Sequence, residues 1–151
     1  MKTIRSIGAA LIVALAGVLV TSLPARTEGK THHIAIHVNQ NDPQVMNMAL
    51  NNVRNIRKYY DSVGDEVVIE VVAYGPGLNM FIPDKSPVED RIKTLSLEIE
   101  NLSFSACGNT RRKMSRKLGH EVPIMEEVQV VPSGVVRLVE LQEQGYAYVR
   151  P

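Results

Sequence analysis

Residues 66–74, EVVIEVVAY, are followed directly by the break GPG at residues 75–77. Nearly every position in this run is β-branched or otherwise apolar, and Glu70 is the one charge that interrupts it. Such a near-continuous apolar run is typical of a strand that is covered on both faces, as strands of a parallel sheet are. The stretch therefore predicts a strand of a parallel sheet, followed by glycines that permit a sharp exit.

Strands and helices alternate along the rest of the chain. HHIAIHV at residues 32–38 alternates as a strand does, and Asp42 followed by Pro43 begins a helix whose apolar stripe ends near Gly64. The βαβαβαβαβ order predicts an α/β fold with a five-stranded parallel sheet and helices on both faces. The later segments are expected to be a loop at 78–87, a helix at 87–101, a strand at 102–106, a turn at 107–110, a basic helix at 110–118, a strand at 127–131, a helix at 134–144 and a strand at 146–149.

Apolar spacing within the later helices predicts which side chains face the core. Leu97 falls in the apolar period of the helix at 87–101. From the last helix, Val135, Leu138, Val139 and Leu141 are expected to face inward. The chain contains no repeat and no low-complexity segment, so a single domain at residues 26–151 is expected.

The N-terminal residues have the layout of a secretory signal peptide. Lys2 and Arg5 precede an uninterrupted apolar run at residues 7–20, and the apolar character ends at Ala25. We expect cleavage after Ala25, which places the mature bacterial protein in the periplasm or outside the cell and leaves it without a membrane segment. An uncleaved anchor is the alternative, but the run is shorter than the roughly 20 residues that span a bilayer.

Charge and motifs exclude several classes of function. The chain has 17 basic and 16 acidic residues, and the signal peptide carries two of the basic ones, so the mature balance is 15 − 16 = −1. Bulk attraction to nucleic acid is therefore not supported. GPGLNM at residues 75–80 is neither a P-loop nor a full dinucleotide glycine pattern, and we expect no cofactor.

Cys107 is the single cysteine, so it forms no intramolecular disulfide. It follows a strand and precedes a helix, where unpaired N–H groups and the helix dipole favour an anion. Arg111, Arg112 and Lys113 lie in or near the first turn, and such surroundings lower the pKa of a thiol. Two interpretations stay open: a reactive thiolate, or a small buried residue that fills the corner between strand and helix.

The carboxyl ends of parallel strands meet at one edge of the sheet, which is where open α/β sheets bind ligands. Four strand exits can be identified, and together they surround Cys107 with uncharged hydrogen-bonding groups. The candidate ligand-binding residues are Asn39, Gly75, Gly77, Asn79, Gly108, Asn109, Thr110, Arg111 and Arg112.

The histidines raise the alternative of an exported metal binder. His32, His33 and His37 lie in the first predicted strand, and His33 and His37 share one strand face. No second carboxylate or cysteine stands at ligand spacing, so a solvated strand edge is the simpler interpretation and we predict no metal.

Several blocks together resemble a known family. NDPQVMNMALNNVRN, VVAYGPGLNM, SACGNT and VVPSGVVRLVELQEQGYAYVRP, in that order, are similar to the DsrE/DsrF-like (YchN-like) family, in particular to its small exported bacterial members. The resemblance runs from about His33 to Pro151. It implies a three-layer α/β/α fold and homo-oligomers, often trimers or hexamers.

Family members with known roles act in sulfur relay, in which a cysteine at the end of the third strand carries sulfur as a persulfide. The ACGNT block places Cys107 at that kind of position, and no other residue role is carried over. The signal peptide departs from the relays that are well understood, which are cytosolic.

We therefore hypothesise a sulfur carrier or thiol-redox protein in which Cys107 accepts sulfane sulfur or exchanges with thiols, with a sulfane-sulfur or thiol donor as its partner. Arg111 and Arg112 would favour the anion, and Asn79, Asn109 and Thr110 would orient a small ligand. A non-catalytic protein that binds a small ligand or anion at the same strand exits is the alternative.

Overall fold

The computed structural model describes residues 29–151, so the predicted signal peptide and its cleavage site lie outside the described residues. In the described part of the chain, no helix has the length and apolar character to cross a bilayer. Ten elements follow one another: β1 (Thr31–Val38), α1 (Pro43–Val63), β2 (Glu66–Ala73), a 3-10 helix (Gly75–Phe81), α2 (Glu89–Glu98), β3 (Leu102–Cys107), α3 (Gly108–Leu118), β4 (Val128–Val131), α4 (Gly134–Glu143) and β5 (Ala147–Val149).

The five strands form one parallel sheet in the order β4-β3-β2-β1-β5. Alternate side chains of the strands divide the core in two. Ile36 and its neighbours on one face pack with α1, α2 and Met114 of α3, whereas Ala35 on the other face packs with Leu138 and Leu141 of α4. Three helices therefore cover one face and α4 covers the other, which confirms the predicted α/β fold with its three layers.

The sequence signals that end helix α1 act as expected. The Asp42 side chain accepts a hydrogen bond from the Gln44 N–H at 2.7 Å, and Pro43 occupies the first turn. Gly64 ends the helix with a left-handed φ of 78°, a conformation that side chains other than glycine rarely adopt. Both predicted ends of this helix are thereby confirmed.

Two local predictions were wrong. The segment expected to be a loop at 78–87 begins inside the 3-10 helix, whose Phe81 is fully buried with its ring against Phe104 at 5.7 Å. The expected turn at 107–110 is absent, because α3 begins directly at Gly108. A β-carbon at residue 108 would come within 2.9 Å of the Val131 carbonyl oxygen, so glycine lets the chain pass straight from strand to helix.

Some apolar residues predicted to face the core face solvent instead. Val135 and Val139 are 54% and 49% exposed, and Leu97 is 90% exposed. In α4, Leu138 and Leu141 fill the line of contact with the sheet, and the valines lie on a side of the helix turned away from it.

Candidate functional site

Cys107 lies at the point where the sheet connections diverge. It is the last residue of β3 and pairs in register with Val131 at the end of β4. From these neighbouring ends, α3 leads to one face of the sheet and α4 to the other. Such a divergence opens a crevice at the carboxyl edge of an α/β sheet and is the usual place for a ligand.

Two helices begin beside the sulfur of Cys107. Cys107 is the N-cap of α3, and its Sγ accepts a hydrogen bond from the Thr110 N–H at 3.5 Å. Gly134, the first residue of α4, approaches so closely that a β-carbon there would lie 3.1 Å from the Cys107 β-carbon. Because unpaired N–H groups and positive dipole ends lie at helix N-termini, this arrangement favours a negative sulfur.

Opposing influences act on the pKa of the Cys107 thiol. Burial raises this pKa, since the residue is only 4% exposed. Hydrogen-bond donors lower it: the Gly134 N–H, the hydroxyl and N–H of Thr110, and the Asn109 N–H. The donors prevail, so the pKa of the Cys107 thiol lies below the ordinary value of 9.0.

Thr110 connects the thiol to the exit of β2. Its hydroxyl oxygen accepts the Gly75 N–H at 3.0 Å, while its own N–H donates to the sulfur. Gly75 adopts a left-handed φ of 55°, a conformation that favours glycine at this strand exit. A β-carbon at Gly77 would lie 2.4 Å from the Val38 carbonyl oxygen, so the exits of β1 and β2 also meet closely.

The structure thus brings Gly75, Gly108, Asn109 and Thr110 together around Cys107. Other predicted site residues have different partners. Arg111 donates to the Val122 carbonyl at 2.7 Å and pairs with Glu121 at 2.7 Å, and Arg112 donates to the Asn109 side chain. The Asn79 amide donates to the Pro76 carbonyl at 3.1 Å, and the Asn39 side chain accepts from Arg150 at 3.2 Å.

The candidate residues predicted from the sequence include neither Gly134 nor Tyr74, although both lie beside Cys107. A β-carbon at Gly134 would lie 3.0 Å from the Tyr74 β-carbon, so Tyr74 packs against the start of α4. The Tyr74 ring stacks on His37 at 4.6 Å, and the His37 Nδ1 is 2.7 Å from the Tyr148 hydroxyl. One signal could have identified Gly134: like Gly108, it is a glycine between a strand end and a helix.

A buried polar network anchors α4 to the sheet. Glu70, the charge inside the apolar run of β2, is 3% exposed and accepts two hydrogen bonds from Arg137 of α4, at 2.8 and 2.7 Å. The Ser105 hydroxyl donates to Glu70 at 2.6 Å and accepts from Gln129 at 2.9 Å. The network therefore ties α4 to three strands, and Arg137 lies one turn beyond Gly134.

The histidines contact aromatic rings rather than one another. His32 stacks on Tyr60 at 3.9 Å and pairs with Asp65 at 3.0 Å, and His33 meets Tyr146 edge-on at 5.0 Å. Within residues 29–151, no three His, Cys, Asp or Glu side chains are grouped as metal ligands.

A groove begins at Thr110 and runs along α3. Its volume is about 380 Å³, and its walls are Gly75, Pro76, Thr110, Lys113, Met114 and Lys117. A larger hollow of about 450 Å³, lined by residues such as Glu89, Lys93 and Glu127, includes none of the strand-exit residues. The α3 groove thus reaches Gly75 and Thr110, and Thr110 in turn contacts the thiol.

Comparison with known proteins gives the fold a relative but no function. No family model matches the chain, and no curated protein matches it. Among solved structures, the chain is similar to MTH1491, a protein of unknown function from Methanobacterium thermoautotrophicum. The identity is 32% and the TM-score 0.67, over 80% of this chain and 99% of that chain.

Proposed function

We propose that this chain, which belongs to the same protein family as MTH1491 of Methanobacterium thermoautotrophicum, carries sulfane sulfur on Cys107. The observation that carries the proposal is the meeting of two helix N-termini at the Cys107 sulfur. A thiolate is the nucleophile in reactions of this kind. The resemblance of the ACGNT block to DsrE/DsrF-like proteins supports the same role, and membership of that family is part of the proposal.

The chemical step needs no external oxidant. The Cys107 thiolate attacks the outer sulfur of a sulfane donor, so that a bond forms from Sγ to that sulfur while the sulfur–sulfur bond of the donor breaks. With thiosulfate, the leaving group is sulfite and the product is a cysteine persulfide anion. The same backbone donors that favour the thiolate would stabilise the persulfide anion.

The proposed location and assembly come from the sequence. The predicted signal peptide would deliver the carrier to the periplasm or the exterior, and the family resemblance implies a homotrimer or homohexamer. The proposed exchange partner is a sulfane-sulfur donor or a thiol of the same compartment.

Mass spectrometry after persulfide trapping tests the proposal. The mature protein, residues 26–151, is incubated with thiosulfate and then with an alkylating reagent that captures persulfides. We expect one added sulfur on Cys107 and none in Cys107→Ser. A protein whose Cys107 gains no sulfur from thiosulfate or from an organic persulfide, although the thiol is alkylated normally, would refute the carrier function.

A second candidate function is binding of a small anion at the strand exits without chemistry. The basic groove beside Thr110 favours it, because Lys113 and Lys117 line a space of ligand size. This candidate expects Cys107→Ser to bind the anion as well as the natural chain does, which calorimetry measures directly.

A further inference from the structure

The surface of α3 beside Cys107 is strongly basic. The helix carries Arg111, Arg112, Lys113, Arg116 and Lys117 and no acidic residue, whereas the mature chain as a whole is close to neutral. Basic residues in the last turn complement the helix dipole, so Arg116 and Lys117 have a local reason to be there. That reason does not extend to Lys113 in the middle of the helix.

Lys113 and Lys117 lie on the groove side of the helix. Together with Thr110 and Met114 they are spaced three and four residues apart, which places all four on one helix face. In the described part of the chain neither lysine has an acidic partner, in contrast to Arg111, which pairs with Glu121. The groove therefore offers two uncompensated positive charges to an occupant.

Thr110 connects the groove to the thiol, because it lines the groove and its N–H donates to Sγ. A helix rises about 1.5 Å per residue, so Lys113 lies about 4.5 Å and Lys117 about 10.5 Å further along the helix. Met114 and Pro76 supply apolar wall beside these charges.

From this arrangement we propose that the groove binds the sulfur donor, and that the donor is a small organic persulfide bearing carboxylates. This inference rests on the carrier function proposed above. The carboxylates bind Lys113 and Lys117, the carbon skeleton lies on Met114 and Pro76, and the persulfide points toward Thr110. A volume of about 380 Å³ suits a molecule of peptide size.

Transfer from such a donor is balanced. The Cys107 thiolate attacks the terminal sulfur of R–S–SH, the bond from Sγ to that sulfur forms, and the donor's sulfur–sulfur bond breaks. The donor leaves as the thiolate RS⁻, which takes up a proton from water. Charge at the groove therefore affects how often the donor meets the thiol and leaves the chemical step itself unchanged.

Stopped-flow transfer kinetics with two donors test the inference. Glutathione persulfide is the anionic donor, and the persulfide of 2-mercaptoethanol is the donor without carboxylates. In Lys113→Met/Lys117→Met we expect the second-order rate from glutathione persulfide to fall about tenfold, because two exposed charge contacts are lost. We expect the rate from the neutral donor to stay within about twofold, since the thiol is untouched.

Two control variants show whether the rate depends on positive charge in the groove, rather than on lysine itself or on the total charge of the protein. Lys113→Arg/Lys117→Arg should retain the fast rate, and Lys58→Met/Lys85→Met, which removes two lysines outside the groove, should also retain it. Equal loss with both donors, or no loss with glutathione persulfide, overturns the groove assignment while the carrier function stands. If neither donor places sulfur on Cys107 in the natural chain, the carrier function and this inference both fail.

Discussion

Replacing Arg137 by methionine should destabilise the fold by leaving a buried carboxylate without its counter-charge. Glu70 is 3% exposed and holds Arg137 through two hydrogen bonds of 2.8 and 2.7 Å. Breaking a buried ion pair from one side typically costs about 3–5 kcal/mol. Here the Arg137 side chain is 25% exposed and the Ser105 hydroxyl remains on the carboxylate, so we expect the lower end, about 3 kcal/mol.

Urea unfolding of the mature chain measures this loss. A domain of this size has an m-value of about 1–3 kcal/mol per molar urea, so the midpoint should fall by between about 1 and 3 M. The double variant Glu70→Met/Arg137→Met should recover most of the loss, because an apolar pair often replaces a buried ion pair without penalty.

An exposed ion pair on the opposite face supplies the matched control. Arg54 and Glu98 are paired at 3.1 Å with both side chains about half exposed, so Arg54→Met should cost no more than about 1 kcal/mol. The reasoning would be refuted if Arg137→Met and Arg54→Met shifted the midpoint equally, since the buried environment of Glu70 would then carry no weight.

Two further predictions concern the thiol and pH. Thr110→Val removes a donor hydroxyl from Cys107, so the thiol pKa should rise and alkylation of the thiol at pH 7 should slow. Thr110→Ser keeps the hydroxyl and should be alkylated as fast as the natural chain. Equal alkylation rates in both variants would contradict this role of the hydroxyl. Burial and the charge of Arg150 lower the pKa of His37 below its ordinary value of 6.5. Between the two pKa values, the unfolded chain binds a proton that the folded chain does not. The free energy of unfolding should therefore fall as pH drops from about 6.5 toward the folded pKa. In urea unfolding, His37→Gln should lose less unfolding free energy between pH 8 and pH 5 than the natural chain does. An identical loss would show that other groups govern stability in this pH range.

Local sequence signals were sufficient to predict most of the fold, because several of them indicate the same helices and strands. The apolar run of β2 predicts a strand covered on both faces, and Asp42 and Gly64 mark the two ends of α1. The 3-10 helix was not predicted, because a glycine-proline-glycine break usually ends a structured segment. Its burial depends on Phe104 of β3, a contact that no local pattern contains.

Only the part of the site that consists of consecutive residues could be predicted from the sequence. Cys107, Gly108, Asn109 and Thr110 are consecutive, and their position between a strand and a helix identified them. Gly134 comes from a distant segment, and the parallel pairing of β3 and β4 brings it to the sulfur. Arg111 was assigned to the anion because of its place in the first turn, whereas its Glu121 partner comes from the segment after α3.

The groups that lower the thiol pKa are not the basic residues of α3, although the nearness of those residues to Cys107 in the sequence had suggested that they were. The donors that lower the thiol pKa are backbone N–H groups and one hydroxyl, and no basic side chain is among them. Glycine at residue 134 lets the start of α4 approach this closely, because a β-carbon there would lie 3.0 Å from the Tyr74 β-carbon and 3.1 Å from the Cys107 β-carbon. The lowering of the Cys107 thiol pKa thus depends on donors at the starts of two helices, and the Glu70–Arg137 pair holds one of them, α4, against the sheet. Lys113 and Lys117 of α3 have no acidic partner in the described residues and are not among the groups that lower the thiol pKa, which leaves them available for the anionic donor proposed above.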